Sequence, residues 1–410
     1  MIEGYLKTGI KEQCLGCEAC YQICPKHAIV MYEDDEGFRY PEIDINLCVS
    51  CDLCNKVCPI EKMPLKNKDE PMTFGGYHKN KEILRDSTSG GAFSAIVDEW
   101  CDKNYVIFGA KSDGLNVYHS YIEDKKDLEI FRKSKYSQSV IGKSYIEVKR
   151  FINEGKKVVF SGTPCQIAGL KNFLNIKHQD KLLTIEVICE GVPSPLFIRK
   201  MNKWYKDIQN SSIKDLDYRY KNENCWDFEI MKIELNNGKV IKKDRWFNQY
   251  WTIWLDHLMS RPSCYHCPFT NKERVADITL GDLWGVHIFC PDLYCNNRGS
   301  SLIICNSILG KKVFNQAKKN MICRPLDLNE AIKYQSPLRK SIEMNPNREK
   351  FFSDLKNENM NYKKLCKIWG KPITVKMFLS KYIWGNRQKV KLWNIKKRRG
   401  KVKYDKLLRK

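Results

Sequence analysis

The spacing of hydrophobic positions changes several times along the chain, and each change marks an element. Ala92–Trp100 carries apolar side chains at helical intervals and predicts an amphipathic helix. Tyr105–Lys111 (YVIFGAK) is a short continuous apolar run, the mark of a buried strand. Val158–Phe160 predicts a second buried strand, which enters a Gly-Thr-Pro-Cys turn and then a helix from Gln166. Leu182–Cys189 (LLTIEVIC) predicts a third, closed by the turn GVPSP. Strands and helices alternating in this way build α/β units, whose neighbouring strand ends lie together and gather ligands. Residues 213–245 alternate with period two around the turn Asn236–Asn237–Gly238, a hairpin signature. Trp246, Tyr250 and Trp254 follow at i, i+4 and i+8, a stripe better explained by core packing than by a cofactor. ADITLGDLWG (276–285) supplies a further strand. Near the start, AIVMYEDDEGFRYPEID predicts a short hairpin turning at Asp35, Glu36 and Gly37. Met63–Pro71 is polar and aperiodic, as a linker would be.

Cysteine changes this picture most. CLGCEACYQICP begins at Cys14 and CVSCDLCNKVCP at Cys48, each with the spacing C-x2-C-x2-C-x3-C-P. Two such runs are the pattern of a bacterial two-cluster ferredoxin, in which the fourth Cys of each run crosses to the other cluster. The expected ligand sets are Cys14, Cys17, Cys20 and Cys58 for one 4Fe–4S cluster, and Cys48, Cys51, Cys54 and Cys24 for the other. Pro25 and Pro59 keep the chain from re-entering a helix after each crossing ligand. Zinc would ask for two separated pairs of ligands instead. The chain has 19 cysteines, so 11 lie outside these runs, an odd number that argues against a disulfide framework.

With 410 residues the chain is long enough for two or three domains. No apolar run opens it and none approaches the length of a spanning helix, so a cytoplasmic protein is expected. Of the net +23, +11 comes from residues 385–410, where twelve Lys and Arg face the single acid Asp405. The rest is only mildly basic, which speaks against nucleic-acid binding. Phe378, Tyr382, Ile383 and Trp384 precede that basic end. Together they resemble an interfacial helix with a basic tail, which suggests peripheral contact with a membrane.

Two further stretches suggest ligand contact. Ser87, Thr88 and Ser89 can cap the helix that follows, while Gly90 and Gly91 would let an anion approach the backbone. Cys165, at the start of a helix, is expected to gain thiolate character from the helix dipole. Lys135, Tyr136 and Ser139 lie in a basic loop that could equally be solvated. His257, His266 and Asp282 stand near motifs without a role assigned by the sequence. No G-x-G-x-x-G fingerprint joins a strand to a helix, so a nicotinamide site of that type is not expected.

STSGGAF, KYSQS, GTPCQIAGLKNFL, CEGVPSP, the C-x-x-C at 264–267 and ADITLGDLWG occur in an order that resembles the beta-subunit family of coenzyme F-420 (deazaflavin) hydrogenases and dehydrogenases. The similarity covers Thr73 to Ile332. It implies an iron–sulfur flavoprotein oxidoreductase that passes electrons through 4Fe–4S clusters to FAD, and on to or from a small organic substrate or a deazaflavin. A subunit that only transfers electrons within a larger hydrogenase or dehydrogenase is the alternative. The resemblance implies a third cluster on Cys165, Cys189, Cys264 and Cys267. It also implies FAD contacts at Ser87, Ser89, Gly90, Gly91, Lys135, Tyr136, Ser139, Gly162, Thr163 and Gln166. A reduced ferredoxin or deazaflavin would be the donor. The expected fold is α+β: a ferredoxin-type module (1–62), a linker (63–72), a mixed α/β flavin- and cluster-binding core in two portions (73–150 and 151–332), and a helical basic C-terminal region (333–410).

Overall fold

The computed structural model describes residues 3–399 apart from 68, 176–179, 222–224, 380–382 and 384. Its strands are β1 (Ile29–Glu33), β2 (Arg39–Ile43), β3 (Met72–His78), β4 (Tyr105–Asp113), β5 (Asn116–Ile122), β6 (Lys157–Gly162), β7 (Leu182–Val187), β8 (Ile213–Tyr220), β9 (Ile230–Leu235), β10 (Val240–Lys243), β11 (Ile278–Asp282), β12 (Ser301–Cys305) and β13 (Met321–Pro325).

Eight of them form one sheet in the order β13-β3-β12-β11-β7-β6-β4-β5. Its centre is parallel: β4 pairs with β6, β6 with β7, and β7 with β11. These strands are the continuous apolar runs of the sequence, because a parallel sheet covered on both faces leaves no polar side. The helix Ser144–Asn153 precedes β6 and the helix Pro164–Leu174 joins β6 to β7. The sheet runs across residue 150, so the two portions expected for the core share one set of strands.

A second, antiparallel sheet, β10-β9-β8, turns at Gly238, whose φ of +83° suits a residue without Cβ. It packs on a core containing Tyr250, Trp251 and Trp254, together with Phe197, Phe351 and Leu365. Tyr250 and Trp254 of the aromatic stripe are therefore core residues. Phe351 and Leu365 come from the helices Arg348–Lys356 and Tyr362–Trp369, which join the C-terminal region to the body of the protein.

Phe38 and Tyr40, from the β1–β2 hairpin between the cysteine runs, are buried in that same core. Ser194 donates to Glu36 O (2.6 Å), and Arg348 Nη1 pairs with Glu36 Oε1 (2.8 Å). The N-terminal segment is thus continuous with the rest of the interior. At the other end, the helix Asn386–Arg398 buries Val390 beside Phe289 and Leu293. Tyr382, Trp384 and residues 400–410, where much of the expected basic tail falls, lie outside the described residues. Among the described residues no helix is long and apolar enough to cross a membrane.

Candidate iron–sulfur centres

The two cysteine runs adopt matching backbones. Gly16 and Ser50 precede the second Cys of each run with φ of +67° and +53°, and Glu18 and Asp52 follow it with +57° and +62°. Left-handed residues in such turns aim successive N–H groups into a concavity that receives an anion. Three of these four positions are not glycine, and strain of that kind persists where surrounding structure fixes it. Cys14, Cys17, Cys20 and Cys58 line one cavity, and Cys24, Cys48 and Cys51 another, with Cys54 bordering both. Cys48 and Cys51 are exposed, whereas Cys17 is buried. Burial pushes the Cys17 thiol well above its ordinary value, and the Cys58 and Cys20 sulfurs beside it push the same way.

Cys165, Cys189, Cys264 and Cys267 come from three separate stretches and line a single cavity. Cys165 follows β6 through a capping box: Thr163 N donates to Gln166 Oε1 (2.9 Å), and Pro164 occupies the first helical position. The helix begins at Pro164, two residues earlier than its apolar period indicates. Cys189 lies just past the end of β7. Gly191, with φ +96°, turns the chain where a Cβ would meet Cys264 Cβ at 3.3 Å. Cys264 sits in the short helix Pro262–His266 and Cys267 follows it.

Burial raises all four thiols, to about 11 for Cys264 and about 12 for Cys267. At Cys165 burial outweighs the lowering by the Thr163 hydroxyl and by Arg261. The helix N-terminus acts in the expected direction, since the backbone N–H groups of Cys165 and Gln166 favour the thiolate, but burial is the larger effect. Neighbouring cysteine sulfurs raise Cys189 further. Among the described residues no three Cys, His, Asp or Glu side chains are grouped to hold one metal ion. A cubane differs in that its four thiolates bind four separate irons, so a wider ring of sulfurs around a cavity suits it.

The first and third groups of cysteines touch through a helix. Gly169, one turn after Cys165, would place a Cβ 3.1 Å from both Cβ and Sγ of Cys17. The Tyr145 hydroxyl lies within hydrogen-bond reach of Cys17 O (3.0 Å) and Gln166 O (2.8 Å). Arg274 and Glu186 form a buried ion pair behind the Cys264–Cys267 loop, where Arg274 also donates to Phe269 O and Asn271 O. Sequence reading passed over Gly169, Arg274, Glu186 and Arg261. A glycine in mid-helix is disfavoured by about 1 kcal/mol, and that was the one signal available for Gly169.

The residues expected at FAD fall into separate groups. Ser87 donates to Ile83 O (2.6 Å) and Ser89 to Ser300 O (2.6 Å), while Thr88 Oγ1 accepts from Ser134 N (2.6 Å). None caps the helix Ala92–Trp100, whose N-cap is Gly91 without a side-chain bond, so that expectation is corrected. The hydroxyls are drawn instead to neighbouring loops. A Cβ on Gly90 would lie 2.4 Å from Gly76 O and 2.6 Å from Ser301 N, so strands β3 and β12 already account for its glycine.

Tyr136 lies in the aromatic core, edge-on to Trp251 (4.9 Å), and its hydroxyl accepts from Arg219 (3.0 Å). Ser139 meets His119 Nδ1 (2.9 Å) and accepts from Gln166 Nε2 (2.9 Å), beside Gly162 and Thr163. Lys135 donates to Ile130 O (3.0 Å) and Arg132 O (2.9 Å), and burial pushes its amine down to about 8. Of the ten, Lys135 borders a broad cavity shared with Lys111, Arg132, Lys133, Asp217 and Tyr220. Ser139 borders a different one, with Glu18, Arg39 and Gln138. Asp282 is paired with Arg219 (2.9 Å), His266 is exposed, and burial lowers His257.

Residues 155–329 match the family described as the C terminus of the coenzyme F420 hydrogenase/dehydrogenase beta subunit, and residues 13–62 match the 4Fe-4S dicluster domain. Among solved structures, a chain of the F420-reducing NiFe hydrogenase complex from Methanosarcina barkeri, studied by xenon derivatization, aligns with a TM-score of 0.42 at 16% identity, over 74% of this chain and 92% of that one. No curated protein matches. The chain is thus similar to the C-terminal part of that beta-subunit family over residues 155–329 and carries a 4Fe-4S dicluster domain over residues 13–62.

Proposed function

We propose that the chain carries three 4Fe–4S clusters in a row and transfers electrons between an outside carrier and a site in its α/β core. The observation that carries this reading is the cavity lined by Cys165, Cys189, Cys264 and Cys267, one helical turn from the contact between Gly169 and Cys17. Cys24, Cys48, Cys51 and Cys54 would hold the outermost cluster, Cys14, Cys17, Cys20 and Cys58 the middle one, and the core cysteines the innermost. When bound, such clusters take up and release single electrons at potentials set by burial and by hydrogen bonds to sulfur. The chain's part is to order the three sites from the exposed Cys48 and Cys51 inward and to keep water from the inner two.

FAD is the finer part of the proposal. It would lie against the cavity that Lys111, Arg132, Lys133 and Lys135 border, where cationic side chains suit its phosphates. A bound flavin exchanges single electrons for pairs, which clusters alone do not. The protein would then be an oxidoreductase acting on a small organic substrate or a deazaflavin, supplied by a reduced ferredoxin or a similar donor.

A second reading, an electron-transfer subunit without a substrate of its own, draws on the surface around the outermost site. Ile45 (82% exposed), Leu47 and Val49 are apolar and open to solvent beside Cys48 and Cys51, as a docking partner would require.

Anaerobically purified protein is expected to hold about twelve iron atoms, at four per cubane. Iron near eight with intact ferredoxin-type signals refutes the third site. A folded, iron-replete chain free of flavin refutes the FAD part. Reduction of small molecules by the isolated chain separates the oxidoreductase from the subunit, which stays inert until a partner protein is added.

A further inference from the structure

Arg261 is fully buried, with 0% of its surface exposed. Its Nε donates to Cys14 O (2.9 Å), its Nη1 to Gln138 Oε1 (3.0 Å) and its Nη2 to Arg39 O (3.0 Å). The guanidinium also lies over the Tyr40 ring, 4.3 Å from its centroid. The acceptors at these three contacts, two backbone carbonyls and an amide oxygen, are neutral. Among the described residues no carboxylate forms an ion pair with it; Glu18, which feels its charge, is bonded to Arg39 Nη1 (3.0 Å) and Gly142 N (2.9 Å). A buried cation without a counter-charge is strongly disfavoured, so a negative group is missing from its surroundings.

Position says where that charge belongs. The side chain grips the carbonyl of Cys14, in the first ligand loop. The backbone carbonyl of Arg261 itself accepts from Cys264 N (2.9 Å), in the third. A Cβ on Gly16, beside Cys17, would meet Arg261 Nη1 at 3.0 Å, so the guanidinium lies against the first ligand loop while its own backbone belongs to the third. Four thiolates around a cubane carry net negative charge, and one-electron reduction adds one more unit at each site.

We propose that Arg261 is the shared counter-ion of the middle and innermost clusters, a positioning residue that stabilises the reduced form of both. The proposal rests on the three-cluster reading above. A cation placed between two anionic sites favours the added electron at either one. Lys in its place would keep the charge and lose the planar fork to Cys14, Gln138 and Arg39.

The test is a dithionite titration of the anaerobic full-length protein, followed by EPR. Arg261→Met is expected to shift reduction at least tenfold toward the oxidised form at both sites, about 59 mV by the one-electron conversion, with the outermost cluster unmoved. Arg261→Lys is expected to recover most of that shift. Unmoved potentials, a shift at one site alone, or a lysine variant as low as the methionine variant each overturn the counter-ion role. Should Arg261→Met fail to fold, Gln138→Glu sets a carboxylate against Nη1 and neutralises the guanidinium in place; it should lower both potentials, and unchanged ones overturn the role equally. Iron near eight in the wild type removes the innermost cluster and refutes the reading beneath, whereas twelve iron with unmoved potentials refutes Arg261 alone.

Discussion

The ion pair between Arg274 and Glu186 offers the sharpest test of how the third cysteine group is held. Both side chains are almost completely inaccessible, at 2% and 0% exposure. Glu186 Oε1 accepts from Arg274 Nε and from Thr279 Oγ1 (2.7 Å), while Arg274 also serves the carbonyls of Phe269 and Asn271 in the loop that follows Cys267. Arg274→Met removes the cation and leaves Glu186 charged and unpaired in the interior, a loss of about 3–5 kcal/mol. The two loop carbonyls lose their donor as well, which adds roughly 1 kcal/mol or more. Arg274→Met with Glu186→Leu removes both charges, and recovery of about 2 kcal/mol is expected because a buried pair exchanged for apolar residues is often neutral or better.

The assay is urea unfolding of the anaerobic protein by tryptophan fluorescence. For a slope of about 3 kcal/mol/M, the single variant's midpoint should fall by more than ~1 M. Iron should drop from about twelve toward about eight, because the loop bearing Cys264 and Cys267 loses its anchor. A single variant within ~1 kcal/mol of wild type, or a double variant no more stable than the single one, would refute the reasoning.

Two further outcomes follow from the same interior. Gly169→Val should press the Cys14–Cys20 loop away from the helix Pro164–Leu174, because even a Cβ there meets Cys17 Sγ at 3.1 Å. Overpacking of about 1–3 kcal/mol should exceed the small gain in helix propensity, and stopped-flow reduction should fill the innermost site more slowly; unchanged stability and rate would show that the two do not abut. Burial pushes His119 down to about 4, so the folded state keeps it neutral while the unfolded chain takes up a proton near its ordinary value of 6.5. The stability this contributes is present above about pH 6.5 and is lost as the pH falls toward 4, up to roughly 3 kcal/mol. His119→Gln should flatten that part of the wild-type profile of urea midpoint against pH, and parallel profiles would rule the histidine out.

The sequence by itself determined the local elements and the two cysteine runs that meet at the first two cavities. Period-two and continuous apolar runs mark strands because side-chain direction alternates along one chain, a property each segment carries alone. The repeated C-x2-C-x2-C-x3-C-P spacing is equally local, and the cavities collect Cys58 with Cys14, Cys17 and Cys20, and Cys24 with Cys48 and Cys51. Tertiary structure decided the rest. Gly90 reads as room for a ligand, yet the space is taken by Gly76 and Ser301, residues 14 and 211 positions away. Ser87, Thr88 and Ser89 read as caps, yet their hydroxyls meet partners that only the folded chain brings near. Arg261 shows the limit most plainly. It precedes Cys264 by three positions in sequence, but its side chain reaches Cys14, 247 positions away. That no carboxylate among the described residues pairs with it is a property of the packed interior, where the low dielectric makes every unmatched charge count and no local pattern records which charges will meet.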